Sequence, residues 1–145
     1  PQDCSQTSEV LRLRKFFIKE KLIMENFTDV KLEIFVPQEY ALKIRDELAK
    51  IGIGRIGNYD HCVALSPVQG YFRPLAGANP FEGEIGKISG VVEYKLEVNC
   101  KRELVNNALK VIKRAHPYEN FAVNIFPLAN HLFENGVLEK NVDQS

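Results

Sequence analysis

Two stretches of strict alternation, residues 30–36 (VKLEIFV) and 91–98 (VVEYKLEV), constrain the fold of this chain more than any other feature. In the first, Val30, Leu32, Ile34 and Val36 alternate with Lys31, Glu33 and Phe35. In the second, Val92, Tyr94, Leu96 and Val98 alternate with Glu93, Lys95 and Glu97. A period of two sends successive side chains to opposite faces, so each stretch predicts a strand with one face in a core. Each then gives way to a helical period. Pro37 suits a first helical turn, and Ala41, Ile44 and Leu48 follow on one face, opposite Lys43, Arg45, Glu47 and Lys50. Gly52 and Gly54 stop that helix. Residues 101–115 repeat the pattern with Leu104, Ala108, Ile112 and Ala115, and Pro117 forces an end.

The remaining signals are weaker. A second strand is expected at 58–65 and a last one at 121–126. Between the second and third strands lies a long Gly/Pro-rich connection, 66–90, with a short strand-like piece at 71–75. The resulting order, β-α-β-β-α-β, predicts an α+β, ferredoxin-like fold. In it a four-stranded antiparallel sheet carries two helices on one face, with right-handed crossovers. The other face would present apolar residues such as Phe35 and Phe126. Exposed apolar sheet faces mark interfaces, so a homo-oligomer is expected.

A chain of 145 residues has room for one core of this kind. The domain should span 29–129, between an N-terminal extension at 1–28 and a polar C-terminal tail at 130–145. Residues 11–23 (LRLRKFFIKEKLI) mix bases with apolar residues, and Met24 is the single methionine. The stretch reads as an extension upstream of a start at Met24, or as an organelle-targeting segment, although Asp3, Glu9 and Glu20 are unusual in such segments. The 19 basic and 19 acidic residues cancel, so no global field draws in nucleic acid or an anionic membrane. No apolar run approaches the ~20 residues of a membrane-spanning helix. Three cysteines (Cys4, Cys62, Cys100) without a CxxC pair argue for a reducing compartment, the cytoplasm unless residues 1–23 direct the chain to an organelle.

In this topology the 66–90 connection and the junction His116-Pro117-Tyr118-Glu119 share one end of the sheet, with 57–62 leading toward them. The chemistry-bearing residues fall there. Asn58, Tyr59, Asp60, His61, Arg73, Asn79, His116, Tyr118 and Glu119 are the candidate ligand-binding residues. His61 and His116 are candidate ligands for a divalent metal, with Asp60, Cys62 or Glu119 as further donors. The spacing matches no HExxH or CxxC pattern. Were 58–65 a strand, His61 would not share a site with both Asp60 and Cys62. The structural alternative for His116 is an imidazolium at the negative end of a helix. Arg73 and the free N–H groups around Asn79 could receive a small anion. No catalytic set is spelled out: Cys62 lacks an ordered partner, and a hydrolase using His61 or His116 as base has no substrate signal.

Three strings, GRIGNYDHC (54–62), FRPLAGANPFEGEIGK (72–87) and AHPYEN (115–120), resemble the PII-like/CutA-like module inserted in YqfO-type proteins of the Ngg-interacting-factor-three family. The resemblance covers about 30–128. It implies a non-enzymatic ligand-binding, regulatory or assembly module, a trimer with clefts between subunits. It implies no two-metal chemistry, because that family's metal site belongs to the flanking domains.

Overall fold

The computed structural model describes residues 4–133 and 138–140. The ends of both expected tails, 1–3, 134–137 and 141–145, lie outside the described residues. A helix, α1 (Cys4–Glu25), is followed by β1 (Asp29–Val36), α2 (Gln38–Lys50), β2 (Ala64–Phe72), β3 (Ser89–Lys101), α3 (Val105–Ala115) and β4 (Val123–Pro127). The sheet order is β2-β3-β1-β4 with every neighbouring pair antiparallel. Strands β1 and β2 are therefore parallel to one another with α2 between them, and β3 and β4 likewise enclose α3. This is the expected ferredoxin-like fold.

The alternation in β1 does what its period requires. Val30, Leu32, Ile34 and Val36 are wholly buried, and opposite them in register stand Cys100, Val98, Leu96 and Tyr94 of β3. Ala41, Ile44 and Leu48 of α2 and Ala108, Val111, Ile112 and Ala115 of α3 close the core. Leu104, expected on the helix face, instead ends a 3-10 turn (Arg102–Leu104) that precedes α3, and packs against the core edge.

The middle of the chain departs from expectation. The second strand begins at Ala64 rather than near residue 58, and it absorbs Tyr71. Pro67, Gln69 and Gly70 make it a poor strand by composition. Its edge position tolerates the proline, and nine register pairs to β3 supply the order that local propensity lacks. The expected 66–90 connection shrinks to a loop at 73–88. Residues 58–62 are turn and bend, with His61 at φ 56°.

Gly54 shows why that bend is tight. Its φ is +81°, its carbonyl accepts the Cys62 N–H at 2.8 Å, and a Cβ there would lie 3.1 Å from the Cys62 carbonyl oxygen. Both the left-handed backbone and the close approach demand glycine. Gly54→Ala should cost ~2 kcal/mol in urea unfolding. A cost near zero would mean that this bend carries no strain.

Helix α1 leaves Phe16, Phe17 and Ile18 more than half exposed. The chain after it is tied down by Arg102, whose guanidinium lies 4.1 Å from the Phe27 ring and donates to the Glu25 carbonyl. Among the described residues no helix is long and apolar enough to cross a membrane. Cys100 is buried in β3, where burial above all, with Glu103 and Asp29, pushes its thiol up to about 11. Cys62 is a half-exposed free thiol in the bend.

Candidate functional site

Where β2 ends, β3 begins and α3 gives way to β4, the 73–88 loop meets the junction after α3, as the topology predicted. The Asn79 N–H donates to Glu119 Oε1 at 2.9 Å. The Phe81 ring sits 5.9 Å from Tyr118 and 6.1 Å, edge-on, from Tyr40 of α2. Between loop, junction and sheet lies a cavity of about 620 Å³. Phe35, Gly70, Phe72 and Glu93 line it from the sheet face that bears no helices. Arg73, Phe81 and Glu82 line it from the loop, and Tyr118, Glu119 and Phe121 from the junction.

His116 does not line the cavity but packs behind Phe121 and ties the junction to β1. It is 7% exposed, and Nε2–H donates to the Phe35 carbonyl at 2.8 Å while Nδ1 accepts the Tyr118 N–H at 3.2 Å. Its ring stacks on Phe121 at 4.1 Å with a 3° interplanar angle. Burial holds its pKa below the ordinary 6.5, against the opposing pull of the Phe35 carbonyl. The ring is thus a neutral tie between junction and β1, not the imidazolium expected at a helix end. With both nitrogens engaged inside the chain, it has none free for a metal.

Glu93 and Tyr118 are the half-buried polar residues of the lining. Gly70 leaves room for the Glu93 carboxylate, since a Cβ there would stand 2.6 Å from Glu93 Oε1. Burial chiefly, then the charge of Glu82, raises the Glu93 pKa above 4.5, and Tyr118 acts the other way. The Tyr118 hydroxyl is buried beside Glu93 without a well-aligned hydrogen bond among the described residues. Burial first, then Glu93, Glu82 and Glu39, push that phenol far up. A carboxyl raised on folding favours the folded state below its ordinary value and loses that advantage as pH rises through the raised one. Glu93→Gln should therefore melt higher than wild type at pH 7 and equal to it near pH 4. A constant difference across that range would mean that Glu93 does not titrate in this setting.

The other candidate residues fall elsewhere. None of Asn58, Tyr59, Asp60 and His61 lines the cavity. Ile56 and Tyr59 exchange both backbone hydrogen bonds across a tight turn, leaving Tyr59 exposed. Because 58–62 is not a strand, the opposite-faces argument fails there: His61 Nδ1 lies 2.9 Å from Asp60 Oδ1 and Nε2 lies 3.8 Å from Asp46 Oδ1. The hydrogen bond and charge of His61 hold Asp60 below the usual carboxylate range. His61 and His116 share no partner. Among the described residues no group of three or more His, Cys, Asp or Glu side chains is placed to hold a metal. Arg73, Tyr118 and Glu119 do come together at the cavity, with Asn79 on its rim. Sequence reasoning passed over Glu82, Glu93, Phe72, Phe81 and Phe121. The available signal was parity: Phe35 and Glu93 occupy the polar phase of their strands and so share the bare face.

No family model matches the chain. A Bacillus subtilis protein named GTP cyclohydrolase 1 type 2 homolog is 35% identical over 119 residues, covering 81% of this chain and 32% of that protein. A Halalkalibacterium halodurans protein of the same name is 38% identical over 100 residues, covering 69% of this chain and 27% of its own length. The chain thus spans about a third or less of these curated relatives. Among solved structures, a Bacillus cereus protein related to NIF3 superimposes with a TM-score of 0.61 at 33% identity, over 70% of this chain and 26% of that one. The PII-like protein CutA from a Nostoc species superimposes with a TM-score of 0.54 at 18% identity, over 74% of this chain and 86% of that one. The latter likeness is one of fold.

Proposed function

We propose that this chain is the CutA/PII-like module of a NIF3-related protein, a non-enzymatic unit that binds a small molecule and assembles with copies of itself. The observation that carries the reading is the cavity at the loop end of the sheet. Its volume of about 620 Å³ suits a metabolite-sized ligand. It combines aromatic walls with a few convergent polar groups, and two of the strings that carry the family resemblance, 72–87 and 115–120, supply its loop and junction walls.

The cavity opens from the helix-free face of the sheet, and the same face supports the assembly reading. Phe126 is 44% exposed there, with Lys31 Nζ 5.6 Å from its ring centroid. Lys31 also pairs with Glu97 at 3.0 Å, and Asn124 donates to Glu33 at 3.0 Å. Face-to-face packing of such sheets would bury these rings and set the cavity at a border between subunits, with a trimer as the favoured form. Phe126→Glu should then shift the protein to monomer in sedimentation at micromolar concentration.

The ligand reading is tested by thermal melting against a panel of metabolites. A ligand at a hundred times its Kd stabilises by about 2.7 kcal/mol, a readily visible shift. Any compound that raises Tm in this way should lose its effect in Phe72→Ala. Stabilisation that persists unchanged in that variant would place the ligand elsewhere.

A further inference from the structure

The charges in the cavity point to a ligand opposite in sign to the anion that Arg73 suggested. Arg73 is the one base in the lining, against the carboxylates of Glu82, Glu93 and Glu119. Arg73, Glu82 and Glu119 are exposed, and Glu93 is half-buried. Glu119 is partly satisfied by the Asn79 N–H. Glu93 faces the Tyr118 hydroxyl instead. The groups that act on it are Tyr118 and Glu82, and Glu39 of α2 adds a further negative charge at Tyr118. An anion entering the cavity would meet the half-buried Glu93 and the exposed Glu82 at like charge, with the repulsion strongest at Glu93.

The apolar lining adds an independent argument. Phe35, Phe72, Phe81 and Phe121 line the same space. An aromatic face is negative at its centre and attracts a cation with a weakly hydrated, delocalised or alkylated charge. Such a cation gives up its hydration shell at low cost and can use carboxylate and ring together. A compact, strongly hydrated metal ion would instead need three or more convergent donors. No such group occurs among the described residues.

We propose that this cleft takes an organic cation, an ammonium or amidinium group on an apolar body, with the charge at Glu82 and Glu93 and the body against the phenylalanine rings. The inference rests on the reading of the cleft as a ligand site and names the class of its ligand. It also assigns Glu82 and Glu93 as the residues that select for charge. Binding should tighten as pH rises from about 4 to 7, because Glu93 must be ionised to receive the cation.

Benzamidine, benzamide and benzoate provide the test, since they share one shape and carry positive, zero and negative charge at neutral pH. Titrations of the full chain are read by calorimetry and by NMR shifts of Phe35, Phe72 and Tyr118. The expected result is that benzamidine binds at these residues at least about tenfold more tightly than the other two. Glu93→Gln should remove about tenfold of that affinity, with the variant's own melting curve reporting that it is folded. Benzoate binding preferred at the same residues, and lost in Arg73→Gln, would overturn the cation while leaving the ligand cleft intact. Binding of all three at equal affinity would overturn charge selection. No shift at those residues with any probe would overturn this inference, and a silent metabolite screen beside it would overturn the cleft reading too.

Discussion

Replacing His116 with alanine is expected to cost ~3 kcal/mol of folding stability in urea titrations. Three losses combine. The Phe35 carbonyl loses its donor and the Tyr118 N–H its acceptor, and an unpaired buried group costs about 1–3 kcal/mol. The stack on Phe121 vanishes, and a void opens where a buried ring stood. The wild-type ring also predicts a pH response. Its pKa is lowered on folding, so above 6.5 it is neutral in both states and contributes no pH dependence. As pH falls below 6.5 the unfolded chain takes up a proton that the folded chain refuses, and stability declines. His116→Phe should flatten that acid-side slope, so its deficit relative to wild type should be constant above pH 6.5 and shrink as pH falls below it. A His116→Ala cost below ~1 kcal/mol would contradict the tie between junction and β1.

The second large effect is expected at Leu32. It is wholly buried at the centre of the sheet, opposite Val98 of β3 and Ile125 of β4. Leu32→Ala should destabilise by about 3–5 kcal/mol, the transfer of the lost methylenes plus the cavity they leave. Lys31, one residue earlier, points to the bare face and pairs with Glu97 at 37% and 24% side-chain exposure. Lys31→Ala should cost under ~1 kcal/mol. The contrast between adjacent positions is the alternation expressed as energy. If both cost the same in equilibrium unfolding, the register of β1 would be wrong.

What the chain shows in sequence follows from how much of each element is decided locally. β1, β3 and both core helices are legible because burial of one face imposes a period that the residues obey. β2 is not legible where it lies because its order comes from pairing with β3. Pro67, Gln69 and Gly70 carry no alternation of their own. Starting the strand near residue 58 placed Asp60, His61 and Cys62 on a pleat and drew His61 toward His116, whereas the structure folds them into a glycine-hinged bend. The meeting of loop 73–88 with Tyr118 and Glu119 was legible because topology alone puts both at one end. Glu82 and Glu93 were not, because the half-burial of Glu93 and the nearness of Glu82 to it arise only in three dimensions.

The chain matches only a part of its curated relatives, and that part has the fold of CutA. A module of this kind would act through what it binds and what it assembles with. Its bare sheet face and its cleft adjoin, so if copies pack on that face as proposed, a ligand at the cleft would sit at their border.

Native mass spectrometry of the purified protein tests that central claim most directly. The expected result is one discrete oligomer, a trimer, that carries or accepts one small molecule per subunit and falls to monomer in Phe126→Glu. A monomer at tens of micromolar, with no added mass alone or with the metabolite panel, would contradict it.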